Sequence, residues 1–345
     1  MISFLRDPDP STRDRILFAT NMWPTDDRPY YGSFIRSQAE SVRAAGWPVD
    51  VIYVRGYQSR SAYARALAAI PKHVRKGSYS LLHVHYGHTL GSSLLVRGLP
   101  VLASFCGGDL LGTPRGDEHL TMKSRLEASA FRQLARRATR TITKSQEMEM
   151  VLPASLRSRN HVLPNGVNTE RFRWRDTDGA RAELGWDVAG KVMLFLGNPS
   201  DPRKNIRLAQ EAERLVVESV PDARIVVVWK MPEDRVPLAM NAADVLLFPS
   251  LSEGSPNAVK EAMASELPIV ATPVGDVPER LDGVAGGFVT RPEPRAFAEG
   301  ILEALEFGRA PEERTAIASL SVGQVAHRLL EIYVATRTDY LETKG

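Results

Sequence analysis

Two carboxylates, Glu253 and Glu261, stand eight positions apart on either side of Ser255 and Pro256, in the stretch PSLSEGSPNAVKEAMASELPIV. Two acids with free main-chain amides between them suit a sugar nucleotide. The amides meet a diphosphate, one acid accepts both hydroxyls of a ribose, and the other meets hydroxyls beyond the phosphates. The local pattern supplies the amides. Asp244-Val-Leu-Leu-Phe248 is an apolar run of strand length, and Ala258, Val259, Ala262 and Met263 recur at helical spacing. Ser255 is a suitable N-cap, and Pro256 suits the first helical position, whose N–H has no intrahelical partner. The stretch therefore predicts a strand, a tight turn and a helix, with the positive end of the helix dipole above the sheet. If the helix starts at Pro256, Glu261 lies about 7–8 Å along its axis and Glu253 stays at the mouth. The spacing alone carries little weight, because surface glutamates recur at every interval.

The surrounding residues are far more specific. ADVLLFPSLSEGSPNAVKEAMASELPIVATPVGDVPERL resembles the signature of the retaining glycosyltransferases of family 4. That resemblance implies the α/β GT-B fold: two doubly wound, Rossmann-like domains facing a cleft, with a C-terminal helix crossing back to the first. It implies transfer of a sugar from a nucleotide-diphosphate-sugar donor, without metal or other cofactor, to a hydroxyl of a glycan or lipid-phosphate-linked acceptor. It also implies a catalytic Glu253 near the reacting carbon, Glu261 on the ribose, and Ser255, Pro256, Asn257 and Ala258 around the diphosphate. NMWPTDDRPYYGSF, SFCGGDLLG and SEGSPNAVKEAM are most similar to the branch that includes teichuronic-acid biosynthesis glycosyltransferases. Two other readings stay open: a sugar-nucleotide epimerase of the same fold, and a binding protein that keeps the donor site without transfer.

Other stretches add to the site through the same resemblance. Gly32 ends a loop between the strand Ile16–Thr20 and a helix from Ser33; it is either a phosphate-facing glycine or a turn residue. Cys106-Gly-Gly-Asp109 resembles the family's His-Gly-x-Asp turn, which makes Asp109 a candidate catalytic residue. Cys106 takes the histidine's place, as a small buried side chain or as a reactive thiol. In the loop Gly197–Asn205, Arg203 and Lys204 are expected on the donor diphosphate, with the inward-pointing one of the two left open. Asn198 occupies a position usually held by arginine, and Met231 is expected beside the nucleotide base. His83 and His85 alternate along one strand, as a metal-binding pair or as polar lining of the cleft mouth. The pairs Asp7–Asp9 and Asp176–Asp178 read as solvated caps.

Composition sets the frame. The 345 residues are 43% hydrophobic and 25% charged, ordinary for a globular protein of two domains. The expected boundaries are 1–166, 167–321 and a returning helix in 322–345. Cys106 is the one cysteine, so no disulfide framework is available. No apolar run has the length of a membrane span, and the charged N-terminus, read as a solvated lead-in over residues 1–14, lacks the form of a secretory signal. A cytoplasmic location is expected. The net charge of +3 is unevenly spread: residues 1–166 hold 23 Lys and Arg against 13 Asp and Glu. An anionic partner follows for this half, namely a membrane or lipid phosphate at the inner membrane face. Nucleic acid does not, since the basic stretches lack interleaved aromatics. Seven basic residues from Lys123 to Lys144, with Leu126, Ala130, Leu134 and Ala138 at helical spacing, predict a basic amphipathic helix.

Overall fold

The computed structural model of the protein describes residues 1–9, 14–114, 120–186 and 189–344. It divides into two compact units. Met1–Thr113, Leu120–Gly166 and Val322–Gly345 make the first; Val167–Ser321 forms the body of the second.

The first unit is built on seven strands: β1 (Ile2–Leu5), β2 (Ile16–Thr20), β3 (Val49–Val54), β4 (Leu81–His85), β5 (Val101–Ser104), β6 (Arg140–Thr143) and β7 (Asn160–Val162). Their order is β1-β3-β2-β4-β5-β6-β7, parallel except for β1. Every residue of β2, β3 and β4 is buried, as in parallel sheets covered on both faces by helices. The helix Ser33–Ala44 turns Ile35, Ala39 and Val42 inward, and the last helix, Val322–Glu342, packs against it. That last helix also reaches the sheet, where the Tyr333 hydroxyl is hydrogen-bonded to His83 Nδ1 at 2.9 Å.

Two expectations for this unit are corrected. The lead-in is not a free solvated tail: although Phe4, Leu5 and Arg6 are exposed, β1 is an antiparallel edge strand, and Asp7 is 5% exposed, accepting from the Val49 amide at 3.0 Å and pairing with Arg43 at 2.6 Å. Residues 10–13 of that stretch lie outside the described residues. Asp7 can be buried because amides and a guanidinium replace its water. Asp176, by contrast, is an exposed cap that accepts from the amides of Asp178 and Gly179. The basic segment is not one helix either. The helix Met122–Leu134 passes into a short 3-10 turn and then into β6. Leu126 is 63% exposed whereas Ala128 and Ala135 are buried, and Arg140 lies on β6, paired with Asp339. Alternation through Thr141-Ile-Thr143 overrides the helical spacing, because those residues complete a parallel sheet.

The second unit has five parallel strands, β8 (Val192–Leu196), β9 (Arg224–Val228), β10 (Val245–Phe248), β11 (Ile269–Ala271) and β12 (Gly287–Val289), in the order β12-β11-β10-β8-β9. Phe195, Leu247 and Val270 pack against the inner faces of the helices Ile206–Val216 and Pro294–Phe307. The order reverses at β8, which lies between β9 and β10. The connections from β8 and β10 thus leave in opposite directions, and a crevice opens beyond the carboxyl ends of these two strands.

Candidate functional site

The loops after β8 and β10 meet at this crevice and are stitched together. The Leu251 amide donates to the Arg203 carbonyl at 2.8 Å, and Lys204 Nζ is 2.6 Å from Glu253 Oε1. The Lys204 stem lies along Gly197, and its ammonium is 5.3 Å from the centre of the Phe248 ring. Arg203 folds back instead, pairing at 2.6 Å with Asp201, whose carboxylate also caps the short 3-10 turn Pro202–Lys204. Of the two neighbouring cations, Lys204 is thus the one tied to the carboxylate of the β10 loop. Asn198 serves its own loop, its side-chain oxygen accepting from the Ser200 amide at 3.0 Å.

The helix after β10 runs from Asn257 to Ala264, with Pro256 in extended conformation as its N-cap and no side chain capping it. This corrects the expected start by one residue and removes Ser255 from the capping role. The Ser255 hydroxyl donates to Asp276 at 2.8 Å and accepts from Lys260 Nζ at 3.1 Å. Asp276 also takes the Arg280 guanidinium at 3.1 Å, so a buried ionic group fixes the loop from beneath. Lys260 is only 1% exposed, and spacing alone had passed it over. Its signal was present: it sits three and four positions before Met263 and Ala264 on an otherwise apolar face.

Glu261 lies one position further round that helix, partly exposed. Its carboxylate has no hydrogen-bond or ion-pair partner among the described residues. Crowding away from water raises its pKa to about 7, with the nearby Glu233 carboxylate pushing the same way and Lys260 and Arg171 opposing. Glu233 is itself held by Arg171 at 2.8 Å. Met231 follows Lys230, which has a left-handed φ of 61°, and lines a groove of about 310 Å³ along the β9 edge with Trp229 and Trp186. It is not part of the hydrogen-bonded group around Lys204 and Glu253.

In the first unit, the sheet order reverses between β2 and β4, and the remaining candidates lie on the loops at that end. Gly32 is the left-handed N-cap (φ 78°) of the helix Ser33–Ala44, and a Cβ there would lie 2.5 Å from the Met22 carbonyl carbon. Its close approach is therefore to the chain's own backbone. Asp109 is 1% exposed and accepts from the amides of Cys106 and Gly107, both at 3.0 Å, and of Gly87 at 3.2 Å. Burial outweighs these bonds and raises its pKa to about 6. The carboxylate ties the loop after β5 to the loop after β4. Cys106 is pushed upward by burial and by the Asp109 charge, so it is held as a thiol.

His83 and His85 do not line an opening: they are 0% and 1% exposed. His83 is bonded to Tyr333 and Ser104, and His85 to Gln38 at 2.8 Å. Burial drives both well below the usual imidazole range, so they are neutral parts of the interior. Tyr86, which the sequence did not single out, carries φ 77° and ψ 141°, a conformation costly for a residue with a Cβ. It is held there by its amide on the Ser104 carbonyl and by stacking on His88 at 5.7 Å.

Comparison with known proteins agrees with this geometry. Residues 21–171 match the family described as Glycosyltransferase Family 4, and residues 205–306 match Glycosyl transferases group 1. A phosphatidyl-myo-inositol mannosyltransferase of Mycobacterium leprae (strain TN) is 24% identical over 88% of this chain and 86% of its own. TuaC of Bacillus subtilis (strain 168), assigned as a glycosyltransferase of teichuronic acid biosynthesis, is 21% identical over 83% and 88%. Among solved structures, sucrose-phosphate synthase from Thermosynechococcus elongatus superposes with a TM-score of 0.76 at 15% identity, over 94% of this chain and 99% of that one. Anabaena HepE in complex with UDP-glucose gives 0.67 at 17%, over 93% and 99%. With two doubly wound sheets of the GT-B type, parallel but for the edge strand β1, and both family signatures in order along it, the chain belongs to the glycosyltransferases of family 4.

Proposed function

We propose that this glycosyltransferase is a retaining enzyme that moves a sugar from a nucleotide-diphosphate-sugar to a hydroxyl of a glycan or lipid-phosphate-linked acceptor, in cell-surface polysaccharide or glycolipid synthesis, with no metal. The observation that carries this reading is the Lys204–Glu253 pair at the switch point of the second sheet, beside a helix start with no side-chain cap and a Glu261 carboxylate with no hydrogen-bond or ion-pair partner among the described residues. Lys204 turns from Glu253 to the diphosphate as the donor enters, and the amides at Asn257 and Ala258 take further phosphate oxygens. Glu261 accepts the ribose hydroxyls. Glu253, released, faces the sugar and stabilises positive charge as the glycosidic bond breaks. The acceptor hydroxyl attacks the face the nucleotide leaves, where the departing phosphate oxygen takes its proton. Cations and amides neutralise the diphosphate, which gives the reaction its independence of metal.

Asp109 acts as a positioning residue in this scheme, since its carboxylate is occupied by three loop amides. A lipid-linked acceptor is favoured by the mannosyltransferase relative, whose name specifies phosphatidyl-myo-inositol, and by the basic first unit. No helix among the described residues is long and apolar enough to cross a membrane. We place the protein in the cytoplasm, in peripheral contact with anionic lipid through Met122, Lys123, Arg125 and Leu126, all exposed on one helix.

The test is a panel of nucleotide sugars scored by thermal shift and then by released nucleoside diphosphate, with and without EDTA, the product anomer being read by NMR. Release from one donor, unchanged by EDTA and with the donor's anomeric configuration kept, is the expected result. Binding with no release makes the chain a donor-binding protein. An altered sugar on the nucleotide makes it an epimerase, and loss in EDTA restored by Mg²⁺ overturns metal independence.

A further inference from the structure

The opposite edge of the first sheet, where β2, β3 and β4 begin, carries a cavity of about 310 Å³ that the transfer reaction does not use. Its floor is built. Asp50, 2% exposed at the start of β3, accepts from Arg15 at 2.8 Å, from the Tyr79 hydroxyl at 2.8 Å and from the Asp7 amide at 2.9 Å. One wall is Phe4 of the edge strand, packed on His73 with ring centres 4.8 Å apart. The His73 ring is itself fixed by a bond from Nδ1 to the Ala69 carbonyl at 2.9 Å.

Two exposed cations, Arg6 and Lys76, complete the lining, and neither has a hydrogen bond or ion pair with any described residue. Asp50 and Arg15 cancel, so the cavity keeps two positive charges. Lys76 alone is explained by its place in the last turn of the helix Ser61–Lys76, where a cation complements the dipole. Arg6 is not: it follows β1, on a different element. Two uncompensated cations over an aromatic wall, in a volume at the lower end for small-molecule sites, form a binding site and not a solvated face.

We propose that this cavity binds a phosphomonoester. A phosphomonoester carries about −1.5 to −2 charge at neutral pH, which matches the cavity's excess, whereas a diester carries one charge and leaves a cation unmet. Arg6 presents its fork to two phosphate oxygens, Lys76 takes the third, and the Phe4–His73 wall covers the carbon part of the ligand. Two sources supply this group: a soluble phosphorylated metabolite, or the headgroup of a phosphatidate lipid.

The experiment uses the full chain. Calorimetric titration is made with glycerol 3-phosphate and glucose 6-phosphate, with glycerol and glucose as controls. Co-sedimentation is made with phosphatidylcholine vesicles holding either phosphatidic acid or phosphatidylglycerol at equal charge. Arg6→Ser/Lys76→Ser alters only exposed side chains, and Arg65→Ser/Arg75→Ser removes as many exposed cations from the same helix region outside the cavity. Binding of a phosphorylated probe, weakened tenfold or more in the first double variant and less than twofold in the second, is the expected result. Binding of the soluble phosphates assigns a metabolite. Preference for phosphatidic acid over phosphatidylglycerol, with silent soluble probes, assigns the lipid headgroup. Equal losses in both double variants, or no binding of any phosphorylated probe, overturn the proposal.

Discussion

Glu261 offers the sharpest check on the donor site, because its substitution moves stability and ligand binding in opposite directions. An unfolded glutamate ionises near 4.5, whereas this one is raised to about 7. Between those values the folded state holds a proton that the unfolded state has lost, so stability falls as pH rises through that window. The cost is fully present above pH 7 and absent below 4.5. At 1.36 kcal/mol per pKa unit it amounts to at most about 3 kcal/mol. Glu261→Gln keeps the shape and removes the charge. The variant should therefore melt higher than wild type at pH 8, by up to about 6 °C at roughly 2 °C per kcal/mol for a unit of this size, and equally at pH 4.5. Calorimetric melts from pH 4.5 to 8.5 measure this directly. The same variant should lose at least half of the stabilisation that the preferred nucleotide sugar gives wild type, since an amide cannot accept two ribose hydroxyls as a carboxylate does. Parallel pH profiles for the two proteins, or undiminished stabilisation by the donor, would refute the argument.

The other site residues give separable outcomes. Glu253→Ala should lower kcat by about a hundredfold with little change in donor KM, whereas Lys204→Ala should raise donor KM; steady-state kinetics distinguishes them, and a shared KM effect removes the division of roles. Gly32→Ala should cost about 2–4 kcal/mol in urea denaturation, since it forces a Cβ into a left-handed conformation and against Met22. Glu313 is 1% exposed, has no hydrogen-bond partner for either carboxyl oxygen among the described residues, and is raised to about 9 by burial, so it is protonated at neutral pH. Wild-type stability should fall by about 2–3 kcal/mol between pH 7 and 9, and Glu313→Met should flatten that slope, as followed by chemical denaturation at each pH. At the membrane, Arg132 and Arg140 are unsuitable targets, since Arg132 donates to the Leu110 carbonyl and Arg140 pairs with Asp339. Lys123→Gln/Arg125→Gln should instead weaken sedimentation with anionic vesicles about thirtyfold, at about 1 kcal/mol for each charge; unchanged binding means this face does not touch lipid.

The stretch from Asp244 to Ala264 was readable as strand, turn and helix because each of its signals is local: an apolar run, a proline, then a 3.6-residue period. Its helix start was misplaced by one residue, since extended backbone at Pro256 serves the N-cap as well as helical backbone serves the first turn, and the sequence pattern cannot choose between them. Local signals also misled where long-range pairing had the stronger claim. Helical spacing ran through Arg140 until the sheet required that residue on β6, and the charged lead-in concealed Asp7 because its partner, Arg43, lies on another element. The two acids around a helix start were legible from pattern and spacing, whereas the two cations, Arg203 and Lys204, entered only through the family resemblance. Which cation meets which acid was legible in neither. Lys204 and Glu253 are 49 positions apart, and they touch because β10 lies beside β8 and not beside β9, an order set by how helices cover both faces of the sheet. The inward turn of His83 onto Tyr333, 250 positions away, has the same cause: the last helix finds the first sheet, and a ring that alternation alone could place on either face is sealed into the core.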